Sequence, residues 1–303
     1  MLIINSLQNF PCLKRMDLSN SEYLEVTPDF SGVPNLERLD LSRCTGLISV
    51  HPSMGSLKNL VFLSFRNCNN LISIQIGSDG SNLISLRVLH FSGCTKLENT
   101  PDFTGTTNLE YLDFDGCTSL SLVHKSIGAL TKLTFLSFRD CKNLVRIPKC
   151  MNARRSLQTV DLSGCLKLTD LPFNNGLLWL FPFISLVFVD IGFCNLFTVP
   201  GAIVELRCLE RLNLQGNNFE SIPYDSICML QRLAYLNLSH CHELETLSRF
   251  TLERGTSSSG GRYFKTVSGS RDHRSGLYVF DCPKLLESKG GDFELAWFVR
   301  LIK

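Results

Sequence analysis

The segment from 36 to 47, "LERLDLSRCTGL", places leucines at a fixed spacing and sets a cysteine among them. Its apolar positions, which follow one another at intervals of three, two, three and three residues, are Leu36, Leu39, Leu41, Cys44 and Leu47. The same spacing recurs along the chain, where the leading residues are Leu13, Leu60, Leu86, Leu109, Leu133, Leu157, Leu186, Leu209 and Leu233. The units are most often 23 or 24 residues long, so the chain is an array of one short element.

A unit of about 20 to 29 residues that reads LxxLxLxx(N/C)xL is the leucine-rich repeat, in which each unit supplies one short strand and a return segment. The sequence therefore predicts an α/β solenoid. We expect a leucine-rich-repeat horseshoe with a parallel concave sheet and irregular or short-helical convex segments. Stacked units share a continuous core, so the array counts as one domain. We assign residues 1–248 to this domain of about ten repeats.

The end of the chain departs from the repeat and then returns to it. Residues 249–275 contain "GTSSSGG" and six Lys or Arg against two acids, which predicts a basic inserted loop. We interpret residues 276–303 as a terminal partial repeat followed by a capping helix. Leu277, Val279 and Cys282 repeat the offsets of the first quoted unit and predict an eleventh strand. The following "DFELAWFVRLIK" predicts a short helix that covers the open end of the stack.

Nine of the thirteen cysteines occupy the same slot, three residues after the third core position of the repeat. Cysteine suits this inward slot because it is small, readily buried and a weak S–H donor, whereas Asn217 is the one asparagine there. Parallel side chains on stacked strands and the absence of any CxxC pair argue against disulfides and metal sites. We therefore expect free thiols and a reducing compartment. The nine are Cys44, Cys68, Cys94, Cys117, Cys141, Cys165, Cys194, Cys241 and Cys282.

The cluster "HCHE" at 240–243 has the composition of a metal-ligand set. Cys241, however, belongs to the inward column, whereas strand geometry turns its neighbours outward. We expect no metal at this cluster.

Composition and motifs argue against several classes of function. The formal charge of +2 at pH 7 offers no overall field for nucleic acid or an anionic membrane. The longest apolar stretch, at 177–189, is short of the roughly 20 residues that span a bilayer, and the amino terminus lacks the pattern of a secretory signal. The chain contains no P-loop, dinucleotide fingerprint, HExxH or nucleophile elbow. We predict a non-enzymatic protein with no cofactor, no nucleic-acid partner and no membrane partner.

Each predicted strand presents two residues to the concave face, because side chains alternate between faces with a period of two. The first outward position is rich in aromatic residues and arginine, which anchor many protein interfaces, and the second is a file of small polar and acidic residues. The alternative to partner binding is that the aromatic residues only pack on their neighbours along the solenoid. We predict that a protein partner binds Arg38, Phe62, Arg66, His90, Tyr111, Asp113, Phe135, Arg139, Phe188, Arg211 and Tyr235.

Several segments carry a resemblance to a known family. The stretches "MDLSNSEYLEVTPDFSGVPNLERLDLSRCTGL" at 16–47, "VHPSMGSLKNLVFLSFRNCNNL" at 50–71 and "LERLNLQGNNFESIP" at 209–223 resemble the leucine-rich-repeat region of plant TIR-NB-LRR disease-resistance proteins. The stretch "GLYVFDCPKL" at 276–285 is similar to the segment that follows those repeats. The resemblance covers essentially the whole chain.

The resemblance implies a recognition module of an intracellular immune receptor, in the cytoplasm or nucleus. Such a module would bind a pathogen effector or a guarded host protein and restrain the receptor's switch. The TIR and NB-ARC domains of a longer chain would be its other partners, and the present chain would be a fragment or a truncated gene product. Two alternatives remain open: a substrate-recognition subunit of an F-box ubiquitin ligase, whose repeats also carry cysteine ladders, and an inactive remnant.

Overall fold

Eleven strands of the protein form a single parallel sheet in the order of the chain. A computed structural model describes residues 10–76, 82–148, 156–168, 185–222, 227, 229–246 and 276–287. The strands are β1 (Arg15–Asp17), β2 (Arg38–Asp40), β3 (Phe62–Ser64), β4 (Val88–His90), β5 (Tyr111–Asp113), β6 (Phe135–Ser137), β7 (Thr159–Asp161), β8 (Phe188–Asp190), β9 (Arg211–Asn213), β10 (Tyr235–Asn237) and β11 (Gly276–Tyr278). The predicted solenoid with a parallel sheet is confirmed.

The return segments are irregular or form short helices, as the pattern predicts. Within the described ranges, 3-10 helices lie at Pro52–Ser56, Lys125–Ala129 and Gly201–Glu205. A short α-helix, α1, lies at Pro283–Glu287 after β11. No helix among the described residues is long and apolar enough to cross a membrane.

The core is one continuous column of leucine and phenylalanine side chains behind the sheet. The third core position carries Phe65, Phe91, Phe114 and Phe138 in four successive repeats, and all four are fully buried. Their neighbouring ring centroids lie 5.0 to 5.4 Å apart with nearly parallel planes. Complete burial of a leucine or phenylalanine contributes about 1.5 to 3 kcal/mol, so the repeated core positions set the register of every strand.

The nine cysteines of the repeated slot are buried, and each thiol donates to a carbonyl of the preceding repeat. The Sγ to O distances are 3.1 to 3.5 Å, and the acceptor is the third core residue of that repeat, such as Phe91 for Cys117. Burial raises the pKa of the Cys68 thiol to about 12. These thiols therefore stay protonated and act as donors, and the cysteines among the described residues are free.

Asn217 performs the same task with more hydrogen bonds. Its amide nitrogen donates to the carbonyls of Ile191 and Leu214 at 2.9 and 2.8 Å. Its amide oxygen accepts from the backbone N–H groups of Cys194 and Leu196, both at 3.1 Å. The slot therefore selects for a side chain that satisfies buried backbone groups, as the sequence indicates.

A residue with positive φ precedes the cysteine or asparagine of each described slot. Glycine fills this position at Gly93, Gly116, Gly164 and Gly216, with φ between 64° and 78°. Glycine adopts a positive φ at no steric cost, because it lacks a Cβ atom. His240 and Asp281 occupy the same position in the last two described repeats, with φ of 60° and 52°.

The predicted eleventh strand is present as β11, which pairs with β10 through the register Leu236 to Leu277. Leu277, Val279 and Cys282 are buried, as their offsets predict. The basic loop at 249–275, the capping helix predicted after Gly291 and residues 177–184 of the apolar stretch lie outside the described residues. The proposed domain boundaries stay predictions.

Candidate functional site

The candidate binding residues lie on successive strands of the concave face or on the turns that follow them. Phe62, Tyr111, Phe135, Phe188 and Tyr235 occupy the first outward position and are each half-buried. Arg38 and Arg211 occupy the same position and are exposed. Arg66 and Arg139 follow strands β3 and β6, in the turns.

Ring contacts link five of these side chains in one row, here called the central strip: Arg38, Phe62, Tyr111 and Phe135 at the surface, with His90 buried beneath them. The Arg38 guanidinium lies 3.5 Å from the Phe62 ring centroid. The His90 ring lies 5.7 Å from Phe62 and 4.9 Å from Tyr111. Tyr111 and Phe135 stack with centroids 4.2 Å apart and planes 1° from parallel. The strip presents a partly exposed apolar surface with a cation at one end.

A second surface, here called the C-terminal strip, comprises Phe188, Arg211, Tyr235 and Tyr278. The Arg211 guanidinium lies 5.5 Å from the Phe188 centroid and 4.9 Å from that of Tyr235. The Tyr235 ring lies 4.9 Å from Tyr278. Tyr278 is not among the predicted contact residues, although the predicted eleventh strand places it at an outward position.

Several side chains at the second outward position, where the sequence predicts a polar and acidic file, are buried. His90 and Asp113 are only 6% and 5% exposed, and Ser64 and Ser137 are 1% exposed. Side chains of the adjacent strands and of the turn that follows each strand cover these positions, because the strands of a parallel sheet lie only about 4.8 Å apart. His90 and Asp113 thus belong to a polar cluster beneath the surface, and their contact with a partner stays a prediction.

This polar cluster links three repeats through Arg66, His90 and Asp113. His90 Nδ1 lies 3.2 Å from Asp113 Oδ2 and 3.1 Å from Arg66 Nη2. Nδ1 donates to the carboxylate when it carries a proton and accepts from the guanidinium when it does not, so the two contacts are alternatives. Burial raises the pKa of Asp113, but the His90 hydrogen bond and the charge of Arg66 outweigh it and leave the pKa lowered.

The equivalent positions on β7 and β8 hold two carboxylates instead. Asp161 and Asp190 are paired across the two strands. Burial, together with the charge of Asp190, raises the pKa of Asp161 to about 6. Burial also raises the pKa of Asp190, although Asn213 Nδ2 donates to its Oδ2 at 2.8 Å and the charge of Arg139 opposes the shift. We call Asp161 and Asp190 the acidic pair; it lies between the central and C-terminal strips.

Asp115 extends this acidic region toward the central strip. Its pKa is raised by burial and by the charge of Asp113, although Ser137 donates a hydrogen bond to it. The concave face thus carries two strips of aromatic rings and arginines. Between the strips lie carboxylates whose negative charge is not fully balanced by nearby cations or hydrogen-bond donors. Such a surface suits the binding of another protein, because aromatic and arginine side chains supply contact area and carboxylates supply charge selectivity.

Comparisons with known proteins agree with this fold. The profile described as "BspA type Leucine rich repeat region (6 copies)" matches residues 31–145 and 59–178, and the profile "Leucine Rich Repeat" matches residues 208–230. The leucine-rich repeat domain of the type III effector XCV3220 (XopL) superposes with a TM-score of 0.58 at 21% identity, over 75% of this chain and 77% of that chain. This structural likeness shows the fold alone.

Sequence comparison extends the likeness to plant proteins. TMV resistance protein N of Nicotiana glutinosa is 30% identical over 287 residues, which cover 79% of this chain and 25% of that protein. Disease resistance protein RML1A of Arabidopsis thaliana is 34% identical over 92 residues, or 30% of this chain and 9% of that protein. The chain thus spans a quarter or less of each relative. It belongs to the leucine-rich-repeat proteins, and its repeats are homologous to those of plant TIR-NB-LRR disease-resistance proteins.

Proposed function

We propose that the chain is the protein-recognition module of an intracellular plant immune receptor, and that it binds a pathogen effector or a guarded host protein on its concave face. The central strip is the observation that carries this proposal. Phe62, Tyr111 and Phe135 remain half-buried although they stack with their neighbours. Packing along the solenoid therefore accounts for only part of each ring, and the remainder is available to a partner.

The acidic pair indicates what chemistry the partner brings. A carboxyl whose folded-state pKa is raised destabilises the folded chain at neutral pH, where it is ionised. A lysine or arginine from a partner would offset this cost at Asp161, because an opposite charge favours the ionised form. We therefore propose that the partner places an apolar segment on the central strip and a basic side chain at the acidic pair.

The homology to disease-resistance proteins supports a role for the module within a larger receptor. In the proposed receptor the array contacts TIR and NB-ARC domains and restrains the switch until a partner binds. The free, buried cysteines support a reducing compartment such as the cytoplasm. The proposed activity is binding, without a catalytic step.

Site-specific photo-crosslinking in plant tissue tests this proposal. A photoreactive benzoylphenylalanine replaces Phe135 on the concave face or, as the matched control, Val145 in the return segment, which is 42% exposed. Challenged tissue should yield an effector or host protein crosslinked at 135 and absent at 145. Binding of that purified protein should then weaken by about 2 kcal/mol or more in Tyr111→Ala, as for a central interface residue.

Two results would overturn the concave-face proposal. One is equal crosslinking from positions 135 and 145. The other is normal binding of the identified protein by folded Tyr111→Ala, compared with a Val145→Ala control. A fusion of the array to the TIR and NB-ARC portion of a relative tests restraint separately: the fusion should suppress cell death in the absence of the partner.

A further inference from the structure

Two histidines and an aspartate from the last two described repeats converge at one exposed point. His240 Nδ1 lies 3.1 Å from Asp281 Oδ2, and His242 Nε2 lies 3.2 Å from the same oxygen. The three candidate ligand atoms all lie within 4.8 Å of one another. The side chains are 48% to 61% exposed, so an ion in solution can reach them.

The repeat itself brings these residues together, although about forty positions separate them in the sequence. His240 and Asp281 occupy the same positive-φ position in successive repeats, immediately after strands that pair in register. The backbone N–H of His240 donates to the carbonyl of Phe280 at 2.7 Å, which fixes the two turns side by side. Cys241 points into the core, and His242 returns to the surface beside His240.

The spacing matches the ligand shell of a small divalent metal ion. A tetrahedral zinc ion with bonds of about 2.0 to 2.1 Å separates neighbouring ligand atoms by about 3.3 Å, close to the two distances measured to Asp281. Imidazole nitrogen and carboxylate oxygen are both common zinc ligands, and three protein ligands leave one position for water. Adjacent Lys284 forms an ion pair with Glu243, so its charge is compensated locally.

Apart from His90, which lies beside Asp113 and Arg66, two further histidines of the described residues lie near an aspartate, and both lack a third ligand. His51 Nδ1 lies 3.8 Å from Asp29, and His124 Nδ1 lies 3.6 Å from Asp102. In both cases Nδ1 also accepts the backbone N–H that begins a 3-10 helix, from Ser53 or Ser126. These pairs have a structural role and serve as internal controls.

We propose that His240, His242 and Asp281 bind a divalent transition-metal ion of the zinc class, and that the ion ties the turn after β10 to the turn after β11. The proposal is independent of the concave-face function. It revises the sequence-based expectation of no metal at "HCHE". The inward orientation of Cys241 was correctly predicted, but Asp281 could be added to the set only once β11 was placed beside β10.

Calorimetric titration of the metal-free, full-length chain with zinc chloride tests the site after accessible thiols have been alkylated in the native state. One equivalent should bind. Loss of an outer-shell partner costs about 10- to 100-fold in metal affinity, so loss of a direct ligand in His242→Gln or Asp281→Asn should weaken binding at least as much. The matched control His51→Gln should bind zinc as the unmodified chain does. Absence of binding, or equal binding by the ligand variants, would overturn the proposal.

Hydrogen exchange separates binding at this site from binding elsewhere. The backbone N–H groups of Leu238 and His240 donate to the carbonyls of Tyr278 and Phe280 across β10 and β11. At free zinc 100 times the dissociation constant, their exchange through local opening should slow by about 100-fold. His242→Gln should abolish this protection and leave exchange in the metal-free chain unchanged, because its side chain lies outside the strand pairing. Zinc binding without protection would also contradict the proposed link between the turns.

Discussion

Strands β5 and β6 present leucines to the core and aromatic rings to the concave face, and the two sides differ in how their composition changes along the solenoid. On the inner side, Leu112 and Leu136 are fully buried members of a column that repeats from strand to strand. On the outer side, Tyr111 and Phe135 stack, while the neighbouring strands carry Val88 and Thr159 at the same position. The inner side is uniform because each inward side chain packs against its equivalents in the adjacent repeats. The side chains of the outer side do not fill the core, so their identity varies from repeat to repeat.

The concave face itself contains a second contrast, between Asp113 and Asp161. Both carboxylates occupy the last residue of a strand and are largely covered by their neighbours. The Asp113 pKa is lowered because His90 and Arg66 overcome the effect of burial. The Asp161 pKa is raised to about 6 because burial and the charge of Asp190 act together. The residues of adjacent repeats thus shift the carboxyl pKa in opposite directions at two equivalent positions.

The strongest test of the contrast between core and concave sides truncates two neighbouring residues of β6 to alanine, one on each side. Leu136→Ala should destabilise the fold by about 2 to 5 kcal/mol, because it opens a cavity in a close-packed core. Phe135→Ala should change stability by roughly 1 kcal/mol or less, because the ring is only half-buried. Chemical denaturation of both variants measures the difference. Comparable losses would show that the ring is a packing residue, and would weaken the binding proposal.

A smaller effect is expected at the two carboxylates. Asp161→Asn keeps the acceptor for the Ser163 N–H and hydroxyl but removes the buried charge, so it should stabilise the fold at pH 7 by about 1 to 3 kcal/mol. Asp113→Asn should destabilise by about 1 to 3 kcal/mol, because it removes a charge that is hydrogen-bonded and paired. Denaturant titrations at pH 7 should therefore give opposite signs for the same chemical change.

The pH dependence sharpens this contrast. A carboxyl with a raised folded-state pKa contributes stability below its unfolded value, here 3.8, and loses it as the pH rises through about 6. The unmodified chain should therefore gain stability relative to Asp161→Asn between pH 7 and pH 5. The contribution of Asp113 has the reverse sign, because a lowered pKa stabilises at neutral pH and this stability is lost in acid. A constant difference between the chain and Asp161→Asn across pH 5 to 7 would contradict the raised pKa.

Chemical labelling of the buried cysteines tests the core column without any substitution. Burial raises the pKa of Cys117 and of Cys141 well above the usual thiol range, so neither should react with an alkylating reagent in the native chain. Cys12 is exposed and provides the reactive control. Mass spectrometry of labelled peptides, with and without denaturant, measures both. Rapid native labelling of Cys117 would place it on the surface and contradict the column.

The repeat pattern by itself was sufficient to predict the strands, the inward leucines and the cysteine column. Core spacing at Leu36, Leu39 and Leu41 recurs often enough that a single register buries every copy, and β11 followed from the same offsets in Leu277 and Val279. Local periodicity determines these features because each repeat meets only its neighbours. The identity of the residues that bind a partner stays a prediction.

Only the tertiary structure decided which side chains of different repeats contact one another. The period of two placed His90 and Asp113 on the concave side, yet stacking beside Arg66 and the neighbouring rings buried both. Asp161 and Asp281 likewise owe their surroundings to residues tens of positions away, Asp190 in one case and His240 in the other. The sequence determined which way each side chain points, because that depends on local backbone geometry. Burial, charge compensation and ligand convergence depend on what the adjacent repeat places alongside, and only the stacked solenoid brings those side chains together.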